Sequence, residues 1–354
     1  MVILKLGVVF LIILVGGYLV LHNGLTVNWT PTNDQGISSF MPEGFKGVMS
    51  AVAGVFFAYI GFDAVSVLAE ESKNPQRDLP RGMIYSLVIC TVIYILLTLV
   101  LTGAVHYKHF ENVGDPLAFI FEKENLNVAW MQLLVAICAV VAMTSVLLVF
   151  QMGQPRIWMS MSRDGLLPPV FQKIHARYKT PSYSTIMTGL VVGVPILFTD
   201  KTFVLDFTSI ATLFAFVLVC GGVLLLPKKE KTPGKFHLPF ISSKFSFPGL
   251  ILVSIMLVQW KMPSYFSGLF VFSGETAEVT YNVSALVFWM VCVVLSVFAF
   301  FKNWSLIPLL GLVTCLYLLT GMTAMNWAWF GGWLLIGLMV YFLYGYKKSN
   351  LSAS

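Results

Sequence analysis

Ten apolar stretches, most of them close to 20 residues long and nearly free of charge, divide the sequence and limit the folds open to it. A helix rises about 1.5 Å per residue, so about 20 apolar residues cross the hydrocarbon core of a bilayer. Because lipid offers no hydrogen bonds, each segment must satisfy its backbone groups internally, as a helix does. The predicted spans cover residues 2–21, 47–69, 82–105, 128–152, 183–199, 203–226, 248–270, 283–301, 305–324 and 327–346.

The composition argues against a water-soluble fold. Hydrophobic residues make up 58% of the chain and charged residues 11%, against about 45–50% and about 25% in soluble domains. So few charges cannot cover a water-facing surface. The sequence therefore predicts an all-α membrane protein with about ten transmembrane helices, folded as a single transmembrane domain over residues 1–354. The first stretch is longer than the h-region of a signal peptide, so we expect it to remain as a span.

Basic residues are distributed unevenly among the connections, and this sets the orientation. If the N-terminus is placed inside, the inner connections hold sixteen lysines and arginines and the outer ones five, while Lys5 lies within a span. Every arginine is on the inner side. This bias follows the positive-inside rule. We therefore expect a multi-pass protein of the cell membrane with both termini in the cytoplasm.

The other connections and the cysteines indicate no enzyme or metal chemistry. Segment 227–247 is predicted to be a basic cytoplasmic linker. Its charge could attract anionic lipid, but a solvated loop is favoured, and topology explains the charge without a nucleic-acid partner. The five cysteines lie scattered in apolar runs without a CxxC pair, which disfavours disulfides and metal sites. The sequence has no GxxxxGKS or GxxxxGKT phosphate loop, so direct ATP drive is not expected. No nucleophile–base set lies at membrane depth, which argues against an enzyme.

The stretch GVFFAYIGFDAVSVLAEESKNPQRDLPRG, from Gly54 to Gly82, most strongly indicates a function. Gly54 and Gly61 lie inside one predicted span with aromatic residues between them. Glycine costs about 1 kcal/mol relative to alanine in a helix interior, so the pair favours a local break. Broken helices at the midplane form solute sites in many transporters. Ordinary helix packing explains two glycines equally well, because glycine is common in membrane helices.

Four polar side chains at predicted membrane depth are further candidates. Asp63 is costly in lipid and is expected to face a cavity or partner, unless it is simply neutral or capped. Lys5 could exchange a proton, since burial disfavours the charged form of lysine, or it could extend to the headgroups from the first turn. Thr144 and Ser145 could line an ion site, or only bond their own or a neighbouring helix.

Several long motifs resemble the cationic amino acid transporter family of the amino acid–polyamine–organocation superfamily. FFAYIGFDAVSVLAEESKNPQRDLPRG, at 56–82, is similar to the family's sixth helix. GQPRIWMSMSRDGLLPPVFQKIHARYKTP, at 153–181, resembles the exit of the eighth helix and the loop after it. SIATLFAFVLV, at 209–219, resembles the tenth helix, and WAWFGGWLLIGLMVYFLYGYKKS, at 327–349, resembles the last one.

The resemblance implies an incomplete inverted-repeat (LeuT-like) permease bundle. The first span is similar to the family's fifth helix, so the four helices that precede it in the family are expected to be absent from this chain. In the family, the first of these supplies half of the substrate site and the third lines the side-chain pocket. The spans 248–270 and 283–301 are two extra helices, as in fourteen-helix relatives. The chain would then either borrow the missing helices from elsewhere or be an inactive remnant or non-transporting scaffold.

The resemblance also implies a substrate site. The sixth-helix break is expected at Phe57, Ala58, Tyr59 and Ile60, with the carbonyls of Phe57, Ala58 and Ile60 binding the substrate ammonium. Asp63 belongs to the same segment, without an assigned role. The substrate is expected to be an amino acid whose identity the sequence leaves open, since the pocket residues lie largely on the absent helices.

Lys5 matches the fifth-helix lysine whose ammonium replaces a sodium ion in proton-coupled relatives, and Thr144 and Ser145 match the eighth-helix side of that region. The resemblance therefore implies secondary active transport of amino acids across the cytoplasmic membrane, by alternating access, driven by a proton gradient without a cofactor. The expected partners are the amino acid, the proton and the lipid bilayer. For this 354-residue chain alone, the absent helices imply no uptake.

Overall fold

The computed structural model describes residues 2–32, 38–42, 44–62, 72–111, 113–226, 239–272 and 276–349. The backbone of these ranges is mainly helical. Its β pairings in the described part are two isolated bridges, Thr32 with Ser38 and Ser242 with Ser305. The all-α class predicted from the sequence is therefore confirmed.

Ten helices of 14 residues or more are present in the described ranges, and each coincides with one predicted span. Shorter helical turns lie in the connections. The ten helices are α1 Val2–His22, α2 Gly44–Tyr59, α3 Pro75–Ala104, α4 Ala129–Arg163, α5 Ser182–Ile196, α6 Lys201–Leu225, α7 Ser246–Lys261, α8 Thr276–Lys302, α9 Leu306–Leu319 and α10 Ala324–Val340.

Six of these helices (α1, α3, α4, α6, α8 and α10) are long and apolar enough to cross a membrane, by length and composition. Helices α5, α7 and α9 are apolar but have only 14 to 16 residues. Many large hydrophobic side chains on these helices are exposed. Such extensive exposed apolar surface is what lipid-facing helices present and what a soluble monomer avoids. The chain is a multi-pass membrane protein.

Helices α3 and α4 are longer than their predicted spans. They contain 30 and 35 residues, or about 45 and 52 Å, which exceeds the hydrocarbon thickness of about 30 Å. Arg77 and Arg81, predicted in a connection, lie in the first turns of α3, which begins at Pro75. Arg156 and Arg163, predicted in an exit segment, lie in the last turns of α4. The predicted turn at Asp164–Gly165 is confirmed, with Gly165 at a φ of 80°.

Two other spans end earlier than predicted. Helix α7 ends at Lys261 instead of 270, and a separate turn follows at Tyr265–Gly268. Met262, which precedes Pro263, has a φ of −139° and a ψ of 74°; a proline disfavours the α conformation of the residue before it. Helix α2 ends at Tyr59 instead of 69, although residues 63–71 lie outside the described part.

Contacts divide the chain into two compact units. Unit 1 comprises Met1–Val48, Gly61–Arg163 and Pro168–Gly189, and unit 2 comprises Met49–Ile60, Asp164–Leu167 and Leu190–Ser354.

Unit 1 has a core in which α1 packs against α3 and the first turns of α4. The contact of α1 with α3 depends on glycine. A Cβ added to Gly103 would lie 2.7 Å from Cγ1 of Val20 and 2.9 Å from Nε1 of Trp29. Trp29 is held there because its indole N–H donates to the carbonyl of Leu99, at 2.8 Å. Small residues let membrane helices approach closely, and Gly103 serves that purpose here.

Unit 2 is built on α6, which packs against α9 and α10, while α7 packs against α8. Its two buried clusters are centred on side chains such as Ile210 and Leu213 of α6 and Phe247 of α7, all 0% exposed. Helix α10 continues through a π-helical turn at Tyr341–Gly345 and ends at Lys348. Residues 227–238 of the predicted linker lie outside the described part.

Candidate functional site

The end of α2 is the local feature that bears on the predicted substrate site. The helix stops at Tyr59, and the amide of Ile60 donates to the carbonyl of Phe57 at 3.1 Å. Gly61 follows with a φ of 121°, a conformation that side-chain-bearing L residues rarely adopt. The apolar run continues in sequence through this point, so the helix ends because of local backbone geometry rather than a change in polarity.

Helix α2 is short for a membrane span. It has 16 residues, which corresponds to about 24 Å, whereas the hydrocarbon core of a bilayer is about 30 Å thick.

Aromatic and aliphatic packing fixes the second half of α2 within unit 2. The rings of Phe56 and Phe216 meet edge to face with centroids 6.2 Å apart. Val52 and Phe56 also pack against the buried cluster that contains Ile210 and Leu213 of α6. The end of α2 is therefore packed against α6 one turn before Tyr59, and a binding site on backbone atoms needs such support.

Four of the five predicted substrate residues lie together at this end. Phe57 and Ala58 are exposed in the last turn, while Tyr59 and Ile60 are half-buried. The C-terminal end of a helix carries a partial negative charge of about half an elementary charge, which favours a cation. Asp63 lies outside the described residues.

The predicted coupling residues lie on two helices of unit 1 that contact each other. Lys5 is half-buried near the start of α1. Thr144 lies on α4, and its hydroxyl donates to the carbonyl of Val140 at 2.8 Å, so it bonds its own helix. Ser145 is next to it and half-buried. These three residues belong to unit 1, whereas the end of α2 at Phe57–Ile60 belongs to unit 2.

The sequence interpretation missed one interhelical polar pair. Asp206 lies in α6, and one of its carboxylate oxygens accepts a hydrogen bond at 3.0 Å from the side-chain nitrogen of Asn326 in α10. Asn326 is 5% exposed. An acidic residue inside an apolar span was the available signal, although its partner, 120 residues away, was not visible from the sequence.

Comparison with known proteins decides the family. A family model described as amino acid permease matches residues 1–274, and one described as the C-terminus of the amino acid permease matches residues 306–349. The chain belongs to the amino acid permease family. The amino acid permease match includes α1 to α7, and the C-terminal match covers α9 and α10. The family resemblance inferred from the motifs is thereby confirmed.

The curated relatives that resemble this chain are transporters rather than enzymes. The branched-chain amino acid permease BcaP of Bacillus subtilis is 34% identical over 352 residues, which are 99% of this chain and 59% of the relative. The methylthioribose transporter of the same organism is 37% identical over 265 residues, 74% of this chain and 53% of the relative. Cationic amino acid transporter 3, mitochondrial, of Arabidopsis thaliana is 28% identical over 417 residues, 97% and 64% respectively.

This permease chain spans less than two thirds of the length of each of these three relatives. The match to BcaP extends over nearly the whole chain, including α7 and α8, which had been interpreted as two extra helices. Helices α7 and α8 lie at Ser246–Lys261 and Thr276–Lys302, where the spans 248–270 and 283–301 were predicted; that they are extra relative to the family stays a prediction.

Proposed function

We propose that the protein carries out secondary active transport of amino acids across the cytoplasmic membrane, by alternating access coupled to proton entry, with both termini in the cytoplasm. Membership of the amino acid permease family supports the substrate class. The observation that carries the proposal is the end of α2 at Tyr59, inside an apolar run of the sequence that predicts a membrane span. In transporters, irregular backbone at membrane depth lines a cavity or is buried in protein.

The substrate ammonium binds at the C-terminal end of α2. In this proposal the carbonyls of Phe57, Ala58 and Ile60 bind the ammonium. The negative end of the helix dipole stabilises a cation there by about 0.3–1 kcal/mol. Tyr59 is the last residue of α2 and is proposed as part of the same site. Asp63 follows closely in sequence and is proposed as part of the same site.

The proton acts through Lys5, and Thr144 and Ser145 are proposed as members of the same coupling region. Alternating spans run antiparallel, and α1 and α4 share one buried cluster that includes Ile12 and Val135. Lys5 precedes Ile12 by seven residues, which is about 10 Å along α1. Thr144 follows Val135 by nine residues, which is about 14 Å along α4. Because the two helices run in opposite directions, both offsets lead toward the same side of the membrane. This register supports a similar depth for Lys5 and Thr144. Coupling then requires that proton and amino acid each bind the two transport states with different affinities.

Uptake into liposomes tests the transport proposal. The protein is purified from its source membranes with an antibody to the C-terminal segment. Any further helices that it has or binds in those membranes are then present in the assay. Liposomes with acid outside are given labelled branched-chain and cationic amino acids, with methylthioribose as a competitor. We expect accumulation of an amino acid that disappears when a protonophore collapses the gradient.

Each result of that assay has a defined meaning. Accumulation of an amino acid that does not depend on the proton gradient would support the transport proposal and contradict proton coupling. Accumulation of methylthioribose without any amino acid would replace the substrate class. Failure of every solute, with the protein correctly folded and inserted, would favour the inactive remnant or membrane scaffold considered from the sequence.

A further inference from the structure

An apolar groove runs between α7 and α8 in unit 2. Its walls are formed by residues one helical turn apart on each helix, such as Ile251 and Ile255 on α7 and Val293 and Val297 on α8. The groove has a volume of about 350 Å³, which is within the range of about 300–1,000 Å³ typical of small-molecule sites. The lining extends over eight residues of α7 (248–255) and nine of α8 (293–301), a rise of about 10–12 Å along each helix.

The groove is open on its outer side and contains almost no polar surface. Leu252 is 57% exposed and Val297 52% exposed, on opposite walls. Ser296 is the polar residue among the described lining residues, and its hydroxyl donates to the carbonyl of Cys292 at 2.8 Å. The floor therefore offers dispersion contacts and no hydrogen bond, as suits a hydrocarbon chain.

Two lysines lie at one end of the groove. The ammonium of Lys244 is 5.4 Å from the ring centre of Phe300, which lines the groove. Lys302 directly follows Phe301, another lining residue, at the end of α8. The acidic residue in the described part of this helix pair, Glu278, lies in the first turn of α8, at the far end of that helix.

Hydrogen bonds hold Lys244 in this position. The amide of Ser243 donates to the carbonyl of Trp304 at 3.0 Å, and the amide of Leu306 donates to the carbonyl of Ile241 at 2.8 Å. The side chain of Ser242 bonds that of Asn303. The segment before α7 is thus tied to the connection between α8 and α9, so Lys244 is placed beside the end of α8 by the backbone.

We propose that this groove binds one anionic phospholipid, with an acyl chain between α7 and α8 and the phosphate at Lys244 and Lys302. Basic pockets between transmembrane helices on the cytoplasmic side are established sites for anionic headgroups. The orientation proposed above, on which this inference rests, places these lysines on that side. A zwitterionic lipid or a sterol fits the apolar part equally well, but only an anionic headgroup complements two cations that have no acidic neighbour at this end in the described residues.

Native mass spectrometry of the full chain in detergent tests the proposal, with phosphatidylglycerol and phosphatidylcholine of identical acyl chains as probes. We expect tighter binding of phosphatidylglycerol by the unmodified chain. The double variant K244Q/K302Q should weaken it by about fivefold per lysine without affecting phosphatidylcholine. Lys261→Gln is the matched control, because Lys261 lies at the other end of α7, and it should leave both affinities unchanged.

A bulky side chain in the groove distinguishes binding in the groove from general attraction of anionic lipid to the positive charges of the protein. Val297→Trp should reduce phosphatidylglycerol binding at least tenfold without changing the net charge. Leu252→Trp on the opposite wall is the second such variant, in case one of them is unstable; both positions are more than half exposed. Equal affinity for the two lipids would overturn the proposal. So would a loss in Lys261→Gln as large as in K244Q/K302Q, or full binding by both tryptophan variants.

Discussion

Asn326 of α10 donates a side-chain hydrogen bond to Asp206 of α6, with 3.0 Å between the amide nitrogen and the carboxylate oxygen. The bond joins helices whose sequences are separated by more than a hundred residues. Around it, Phe203 stacks on Phe207 with ring centres 5.7 Å apart and meets Trp329 edge to face at 5.6 Å. A polar pair and an aromatic group therefore connect the first turns of α6 and α10.

Removing this pair should loosen unit 2 by a modest amount. In a double-mutant cycle with Asp206→Ala and Asn326→Ala, we expect a coupling energy of about 0.6–1.7 kcal/mol, the range of interhelical hydrogen bonds in membranes. Unfolding by detergent titration measures it. Ser254→Ala is the control, because that hydroxyl bonds only the carbonyl of Leu250 in its own helix. A coupling energy near zero would mean that the two side chains act independently.

The contact of α1 with α3 gives a packing prediction. Gly103→Ala should destabilise the protein by about 1–3 kcal/mol, the usual cost of overpacking. Val20 is 1% exposed and has a stiff β-branched side chain, and Trp29 is hydrogen-bonded, so neither gives way easily. Gly7→Ala in α1 is the control, because its added Cβ meets no atom within 4 Å. An equal loss in both variants would point to a general effect of alanine rather than to the close contact.

The turn after α2 makes a prediction about transport. Gly61→Ala should cost about 1–3 kcal/mol of stability or distort the turn, and amino acid uptake should fall with it, because the carbonyls near Tyr59 would be displaced. Gly54→Ala, earlier in α2, meets no atom within 4 Å and should be neutral or stabilising by up to about 1 kcal/mol. Uptake rates and thermal unfolding of both variants are to be compared. Normal uptake by Gly61→Ala would separate this turn from the substrate site.

Lys5 distinguishes a proton carrier from a headgroup anchor. In a protein that also contains the four preceding helices of the family, Lys5→Ala should abolish accumulation driven by an acid-outside gradient. Lys5→Arg should abolish it too if a proton must leave, because arginine stays charged, but should preserve it if the side chain only reaches the headgroups. Lys123→Ala, which removes an exposed charge from the connection before α4, is the control. Unchanged accumulation in Lys5→Ala would remove its coupling role.

The orientation predicted from charge can be measured on intact cells. In a cysteine-free background, His109→Cys in the connection between α3 and α4 should react with a membrane-impermeant maleimide. Ser349→Cys after α10 should react only when the membrane is permeabilised. The reverse labelling pattern would mean that the orientation is opposite to the predicted one. Labelling of both cysteines in intact cells would contradict the odd number of membrane crossings predicted between the two positions.

Helix positions were predictable because lipid forces long apolar runs to be helical, whereas several helix ends were not. Hydropathy marks the apolar part of α4 and says nothing about its polar continuation to Arg163, which stays helical even through Pro155. For α7 the sequence did contain a signal for the helix end, since Pro263 restricts the backbone of Met262. The prediction followed the apolar run to residue 270 instead. An end set by backbone geometry is weakly encoded in hydropathy.

In the candidate site too, local features were predictable from the sequence, whereas contacts between helices were not. Two glycines around aromatic residues predicted an irregularity near Tyr59, and α2 does end there. The pairing of Asp206 with Asn326 depends on how α6 and α10 pack, and no local pattern in either helix reveals it. The groove between α7 and α8 is likewise a property of two helices together, although Lys244 and Lys302 are visible in the sequence.

The π-helical turn at Tyr341–Gly345 changes the direction in which the last residues of the helix point. Each residue of an α-helix advances the side chains by about 100°, so one extra residue in a turn rotates the final basic residues, Lys347 and Lys348, by about that angle. Gly345 is buried there, and a Cβ on it would lie 3.3 Å from the carbonyl oxygen of Leu166. Deleting a single residue from this turn would barely shorten the chain, yet it would swing the C-terminal charges to another side of the helix.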